Sequence, residues 1–348
     1  MSRIRPQADW PPGTVVRFSH QSEALADNPW DDPAAREIAV YLPPGYAESG
    51  EPCVSLWDLA AFTNAGPGHL NWRNHGENLP RRLDRLIGEG AMEPAVVVVP
   101  DCYTSLGGNQ YVNSPAVGRY ADYLVEELVP FVEARVNLVR NRDGRAVFGK
   151  SSGGYGALFH AMHYPDTWGA AASHAGDMGF DLLFRGEFPT ACGVLASYEG
   201  DPQAFLRAFW QRNRPSGHDY TTLMLLAMAA SYDPDPAEPA RIRLPFDLRT
   251  CELLPERWQR WLDFDPLNLL ERKAGALRGL HGLYIDVGRY DQYHIQYGTR
   301  RFVDALSAKD IAHRYEEFDG THSAIDWRLD QSLPFLAAAL KKARRESI

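Results

Sequence analysis

The chain has 348 residues, 36 basic and 45 acidic, for a formal charge of −9, with 45% apolar and 23% charged side chains. This composition is ordinary for a globular protein and excludes disorder as its main state. The acidic balance argues against nucleic acid or an anionic membrane as the main partner. Cys53, Cys102, Cys192 and Cys251 form no C-x-x-C pair, which argues against a zinc ribbon or disulfide framework and for reduced thiols in a cytoplasmic protein. Residues 1–10 carry positive charge with no apolar core behind them, so no secretory signal is expected there. The longest apolar runs, 95–99 and 223–230, fall far short of the roughly 20 residues needed to span a bilayer.

In chain order, residues 13–19 and 36–42 read as strands rich in Val, Ile and Tyr, the second stopped by Pro43, Pro44 and Gly45. Residues 52–57 and 95–99 are continuous apolar runs, as in strands buried on both faces of a mostly parallel sheet. Between them Leu79, Leu83, Leu86 and Ile87 recur at helical spacing over 79–89. Residues 120–136 predict a second helix with Tyr120, Tyr123, Leu124, Leu128 and Phe131 on its inner stripe. A short strand, 145–148, runs into a glycine-rich turn and a helix reaching about residue 162. Strands at 170–173, 283–287 and 315–318 and helices at 299–308 and 332–344 follow, so the alternation predicts an α/β sheet with right-handed crossovers. Residues 179–273 are too long for a simple crossover and rich in aromatics, including Phe205, Phe209, Trp210, Trp258 and Trp261. The expected organisation is a core of 1–178 and 274–348 with a mainly helical insertion, 179–273, packed on that core.

The sharpest local signal is Gly149-Lys150-Ser151-Ser152-Gly153, a G-x-S-x-G between a strand and a helix. This is the context of a nucleophile elbow, where a tight turn lifts the Ser151 hydroxyl above the sheet. The Ser152 amide opens the helix beside it and can donate to a developing oxyanion. A serine needs a base, and the base an orienting carboxylate, arriving later on loops at the carboxyl ends of strands. Asp291 follows the strand at 283–287 and His322 follows the strand at 315–318. Asp286 competes with Asp291 for the acid, but it lies inside its strand and not at the loop tip. His160 and His163 share a helix face without a third ligand, so no metal site is expected, and His174 reads as a hydrogen-bonded structural histidine.

Together the segments FGKSSGGYGA (148–157), Tyr164-Pro165 and SHAG (173–176) resemble the esterase family of α/β-hydrolases that includes esterase D (S-formylglutathione hydrolase), enterochelin esterase and feruloyl esterase relatives. VYLPPGY (40–46), YLVEELVP (123–130), Asp291 and GTH (320–322) extend the likeness over nearly the whole chain except the insertion. The resemblance implies an α/β-hydrolase fold and hydrolysis of carboxylic esters or thioesters of small molecules without a cofactor. The family is often dimeric, which leaves a homodimer open. The family usually carries His-Gly or Asp-Gly at the end of the strand here at 52–57, and the amide that follows completes the oxyanion hole. An ungapped count puts Asp58-Leu59 there, with the Ala60 amide as donor; a shifted register through Ala60-Ala61 would give the role to Phe62. An acyltransferase on the same triad, or a non-catalytic binding scaffold, are the alternative functions. Insertions at this place often shape the acyl or alcohol pocket, so Trp210, Trp258 and Trp261 are expected to wall it. Loop aromatics such as Trp72 and Tyr111 fit an apolar acyl group or ordinary core equally.

Overall fold

The computed structural model of the chain describes residues 10–346; the segment 1–9, where no secretory signal was expected, lies outside them. Eight strands form the main sheet: β1 (Thr14–Gln21), β2 (Ala35–Leu42), β3 (Ser55–Leu59), β4 (Val96–Pro100), β5 (Arg145–Lys150), β6 (Ala170–His174), β7 (Gly282–Gly288) and β8 (Arg314–Phe318). They lie in the order β1-β2-β4-β3-β5-β6-β7-β8. Only β2 breaks the parallel set, pairing antiparallel with both β1 and β4. Strands β3 to β7 are buried except for Lys150 at the end of β5, as their apolar runs require, whereas the edge strands β1 and β8 alternate or expose polar side chains.

Alternate residues feed two apolar layers. Leu56, Val97, Ala146, Phe148 and Tyr284 face the helices Leu79–Gly88 and Leu329–Glu346. Trp57, Val98, Val147, Ala171 and Ile285 face the other layer, which holds the helices Ser152–His163 and Ile295–Ala308. The expected helix at 120–136 is helical over 120–133 and widens in its middle turn, where the Val129 N–H reaches back five residues to Leu124. Pro130 has no N–H to give and its ring crowds the carbonyl four residues back, which opens the turn.

Between β6 and β7 the chain is mainly helical, with Phe188–Ala196, Pro202–Gln211, Gly217–Tyr232, Pro255–Leu262 and Pro266–Arg278 as its longer helices. The boundary expected at residue 273 falls inside the last of these. Phe180, Phe184, Phe205, Tyr232, Trp258 and Trp261 join one continuous buried cluster with Tyr155 and Phe159 of the helix after β5. Among the described residues, no helix is long and apolar enough to cross a membrane.

Parallel pairing puts the carboxyl ends of β3, β5, β6, β7 and β8 on one edge of the sheet, in registers that set Leu59 beside Gly149, Lys150 beside His174, His174 beside Asp286, and Phe318 beside Gly288. Loops leaving that edge converge, and ligand sites in such sheets form there.

Candidate active site

Ser151 occupies the turn between β5 and the helix Ser152–His163 with φ 55° and ψ −123°, a conformation a side chain rarely adopts. Backbone contacts hold it there. Its N–H donates to the His174 carbonyl at 2.9 Å, and its carbonyl accepts from Tyr155 N–H at 2.8 Å. The turn closes only because its flanks lack side chains: a Cβ on Gly153 would sit 1.9 Å from the Leu59 carbonyl oxygen, and one on Gly149 would sit 2.5 Å from the same atom.

The loops after β7 and β8 press together in the same way. A Cβ on Gly288 would lie 2.6 Å from the carbonyl oxygens of Gly320 and Thr321. Tyr290 N–H donates to Gly320 O at 2.9 Å. This contact brings together the two residues expected to act as a pair: Asp291 Oδ2 lies 2.7 Å from His322 Nδ1. The other Asp291 oxygen accepts from Tyr293 N–H at 2.9 Å, and the His322 N–H donates to Gln292 Oε1 at 3.0 Å. The Tyr293 ring stands edge-on to the imidazole, 4.9 Å between centroids. With Nδ1–H donating to the carboxylate, Nε2 is left as the acceptor.

Asp286 is engaged elsewhere. It lies fully buried in β7, 2.8 Å from His174 Nδ1 and 2.7 Å from Arg328 Nε, while His174 Nε2 meets Ser332 Oγ at 2.8 Å. His160 is buried against the Tyr111 carbonyl, and burial draws its pKa down to about 4. Among the described residues, no group of three His, Cys, Asp or Glu side chains is placed to hold a metal ion.

β3 runs on to Leu59, two residues beyond the expected end, and the Leu59 carbonyl points at Gly149 and Gly153. The Ala60 carbonyl accepts the Tyr111 hydroxyl at 2.6 Å, the Ala61 carbonyl accepts from Asn64 N–H, and Thr63 N–H donates to Gly107 O. Tyr111 is therefore buried scaffold, and Trp72 is 76% exposed.

Two residues at the site went unnoticed in the sequence. Asp177, three residues beyond β6, takes a long hydrogen bond of 3.4 Å from Ser151 Oγ to its Oδ1. Its Oδ2 accepts from Gln110 Nε2 at 2.9 Å and meets Ser152 Oγ at 3.5 Å. Gln110 Nε2 also meets the Tyr232 hydroxyl at 2.9 Å. Burial pushes the Asp177 carboxyl above the ordinary carboxylate range, against the Gln110 bond and the nearby charge of His322. Gly154 and Gly176 make this possible, since a Cβ on Gly154 would lie 3.0 Å from the Gly176 Cα. The available signal was an acidic residue beyond the strand next to the elbow, within a glycine-flanked turn.

The family described as "Putative esterase" matches residues 33–335. The chain belongs to that family. An esterase of Mycobacterium tuberculosis is 37% identical over 92 residues, which are 25% of this chain and 19% of that protein, so this esterase-family chain matches about a fifth of the relative's length. Among solved structures, a ferulic acid esterase superposes with a TM-score of 0.60 at 18% identity, covering 94% of this chain and 99% of the other. An S-formylglutathione hydrolase from Agrobacterium tumefaciens gives a TM-score of 0.57 at 22% identity, covering 98% of this chain and 100% of the other. These structural likenesses place the family member in the α/β-hydrolase fold.

Proposed function

We propose that the chain is a serine carboxylic ester hydrolase with Ser151 as nucleophile, His322 as base and Asp291 as the acid that orients it. The observation that carries this reading is the 2.7 Å contact between His322 Nδ1 and Asp291 on the loops beside the Ser151 elbow. Ser151 Oγ attacks the acyl carbonyl as His322 Nε2 takes its proton; His322 then gives that proton to the leaving alcohol, and water repeats the cycle on the acyl-enzyme. Asp291 holds the tautomer and stabilises the imidazolium. The Asp177 carboxyl takes a long hydrogen bond from the Ser151 hydroxyl at the same carboxyl edge of the sheet from which the Asp291 and His322 loops leave. In this rotamer Ser151 Oγ donates to Asp177; the bond from Ser151 to His322 that the mechanism needs is of the kind that is commonly long in a free enzyme and tightens with substrate in place.

The oxyanion is held by the Ser152 N–H at the helix start and by a second amide just beyond β3, that of Ala60 or, in the shifted register, that of Phe62; the Thr63 N–H is already bonded to the Gly107 carbonyl. Residues 179–273 act as a cap that bounds the substrate cleft. Trp210, Tyr220 and Leu223 line a cleft of about 270 Å³ with Thr63, the neighbour of Phe62, which supports that role. Trp258 and Trp261 do not reach it: both are buried in the aromatic cluster with Phe184 and Phe188. The four cysteines, all free, suit a reducing cytoplasm.

The test is covalent labelling. Wild-type protein turns over phenyl esters and takes up one fluorophosphonate at Ser151, and Ser151→Ala loses both while keeping its unfolding temperature. Turnover by folded Ser151→Ala would remove Ser151 from this role.

A further inference from the structure

Asp177 is the buried titratable group at the site that the triad does not use. Its residue is 6% exposed, and its polar side-chain contacts are Gln110, Ser151 and Ser152; no lysine or arginine among the described residues pairs with it. A buried carboxylate with so few donors is costly unless something else supplies them. The two oxygens differ. Oδ2 keeps its 2.9 Å bond from Gln110 whatever happens at the serine, while Oδ1 receives only the Ser151 hydroxyl, at 3.4 Å. Acylation removes that hydrogen: the proton passes to His322 and Oγ becomes the ester oxygen of the acyl-enzyme. Oδ1 is then left without a side-chain donor from the protein.

The surroundings are built to hold this carboxyl in place. Gln110, Tyr111 and Ala175 all have positive φ, at 54°, 58° and 44°, and stand with Ser151 among the few non-glycine residues in that region. Strained backbone of this kind persists where the surrounding structure enforces it, as at ligand sites.

We propose that Asp177 reads the acyl group, accepting a hydrogen bond from a hydroxyl or ammonium on the carbon next to the ester carbonyl, so that 2-hydroxyacyl or 2-aminoacyl esters are the preferred substrates. The reach fits. A substituent on that carbon is three bonds from Ser151 Oγ, about 3 Å away, and Oδ1 lies 3.4 Å from the same Oγ. An acyl group carrying its own anion at that carbon is repelled. This assignment rests on Ser151 being the nucleophile.

The experiment compares kcat/KM for the phenyl esters of propanoate, lactate and alanine at neutral pH, each divided by its rate of alkaline hydrolysis, with fluorophosphonate labelling to count active sites. Wild type prefers at least one donor-bearing ester over the propanoate by roughly 10- to 100-fold, the range of a hydrogen bond to a charged group. Preference for lactate marks a hydroxyl ligand, and preference for alanine marks an ammonium. Asp177→Ala brings the ratios to within about threefold of one. Asp177→Asn, which keeps the shape and a carbonyl acceptor, retains part of a lactate preference and loses an alanine preference. Equal corrected rates in labelled, active wild type, or wild-type ratios in either variant, would overturn the role of Asp177 alone. Loss of both labelling and turnover in the wild type would overturn the nucleophile and this assignment together.

Discussion

Gly153→Ala concentrates the steric argument for the elbow in a single methyl group. Its Cβ would sit 1.9 Å from the Leu59 carbonyl oxygen, 2.6 Å from the Leu59 carbonyl carbon and 2.9 Å from the Ala60 oxygen, all of them backbone atoms that no rotamer change can move. To reach even 3.0 Å, the end of β3 and the helix start must part by about 1.1 Å. Overpacking of this kind costs about 1–3 kcal/mol, and at about 2.1 cal/mol/K per residue over 348 residues each kcal/mol lowers Tm by about 1.4 °C. Tm should therefore fall by about 1–4 °C. The kinetic loss is larger, because both amides proposed for the oxyanion ride on the displaced segments and a 1 Å misplacement costs about 100-fold. Gly275→Ala is the matched control: it lies exposed in the helix Pro266–Arg278 with nothing near its Cβ, so it should gain about 0.5–1 kcal/mol and keep full turnover. Calorimetry and phenyl ester kinetics on the pair read both effects. Wild-type kcat in Gly153→Ala would refute the claim that the Leu59 contact sets the elbow.

Asp291→Asn should lower kcat by about 10³–10⁴-fold with little change in Tm, whereas Asp286→Asn, which breaks a buried pairing with Arg328 and His174, should lower Tm and keep most of kcat; kcat and Tm measured on both variants check the crossover. His69 pairs with the buried Asp58, whose charge holds the imidazole protonated above its usual range. A raised folded-state pKa gives stability that is complete below the unfolded value of about 6.5 and is lost as pH rises through the folded value. The Tm gap between wild type and His69→Gln should thus be widest in mild acid and close at alkaline pH, as a pH series of melts would show. Trp261→Ala empties a fully buried site and should cost about 3–5 kcal/mol, about 4–7 °C in Tm, while Trp210→Ala, half exposed on the cleft, should alter ester preference with a small Tm change.

What could be read from the chain divides by distance along it. The elbow, the strand before it and the helix after it are local, so Gly149 to Gly154 announce them. Asp291 and His322 follow strands whose parallel registers put their ends on one edge, so counting strands is enough to expect the two side chains on adjoining loops. The end of β3 was harder: its run of 52–57 loses its apolar character at Asp58, yet Asp58 is buried and paired with His69 from a turn 11 residues further on. Trp258 and Trp261 look like pocket walls in a list of aromatics, and become core only when the helices of the insertion fold against Phe184 and Phe188. Asp177 and Gln110 meet across 67 residues through left-handed turns and a glycine-on-glycine contact, none of which has a periodic signature.

The chain Ser332–His174–Asp286 has the same atom-to-atom connectivity as a hydrolytic triad, with 2.8 Å links on both sides of the imidazole, and Ser332 is completely buried. The molecule thus carries its own internal control. The proposed relay begins at the strained Ser151 turn, and the other is sealed between the last helix and the sheet, with Arg328 bonded to its carboxylate. A reactive phosphonate in large excess should modify a single serine per folded chain and gain a second target only on unfolding, when the sealed relay itself has come apart. Reactivity here is a property of access and of neighbouring amides, and connectivity by itself confers none of it.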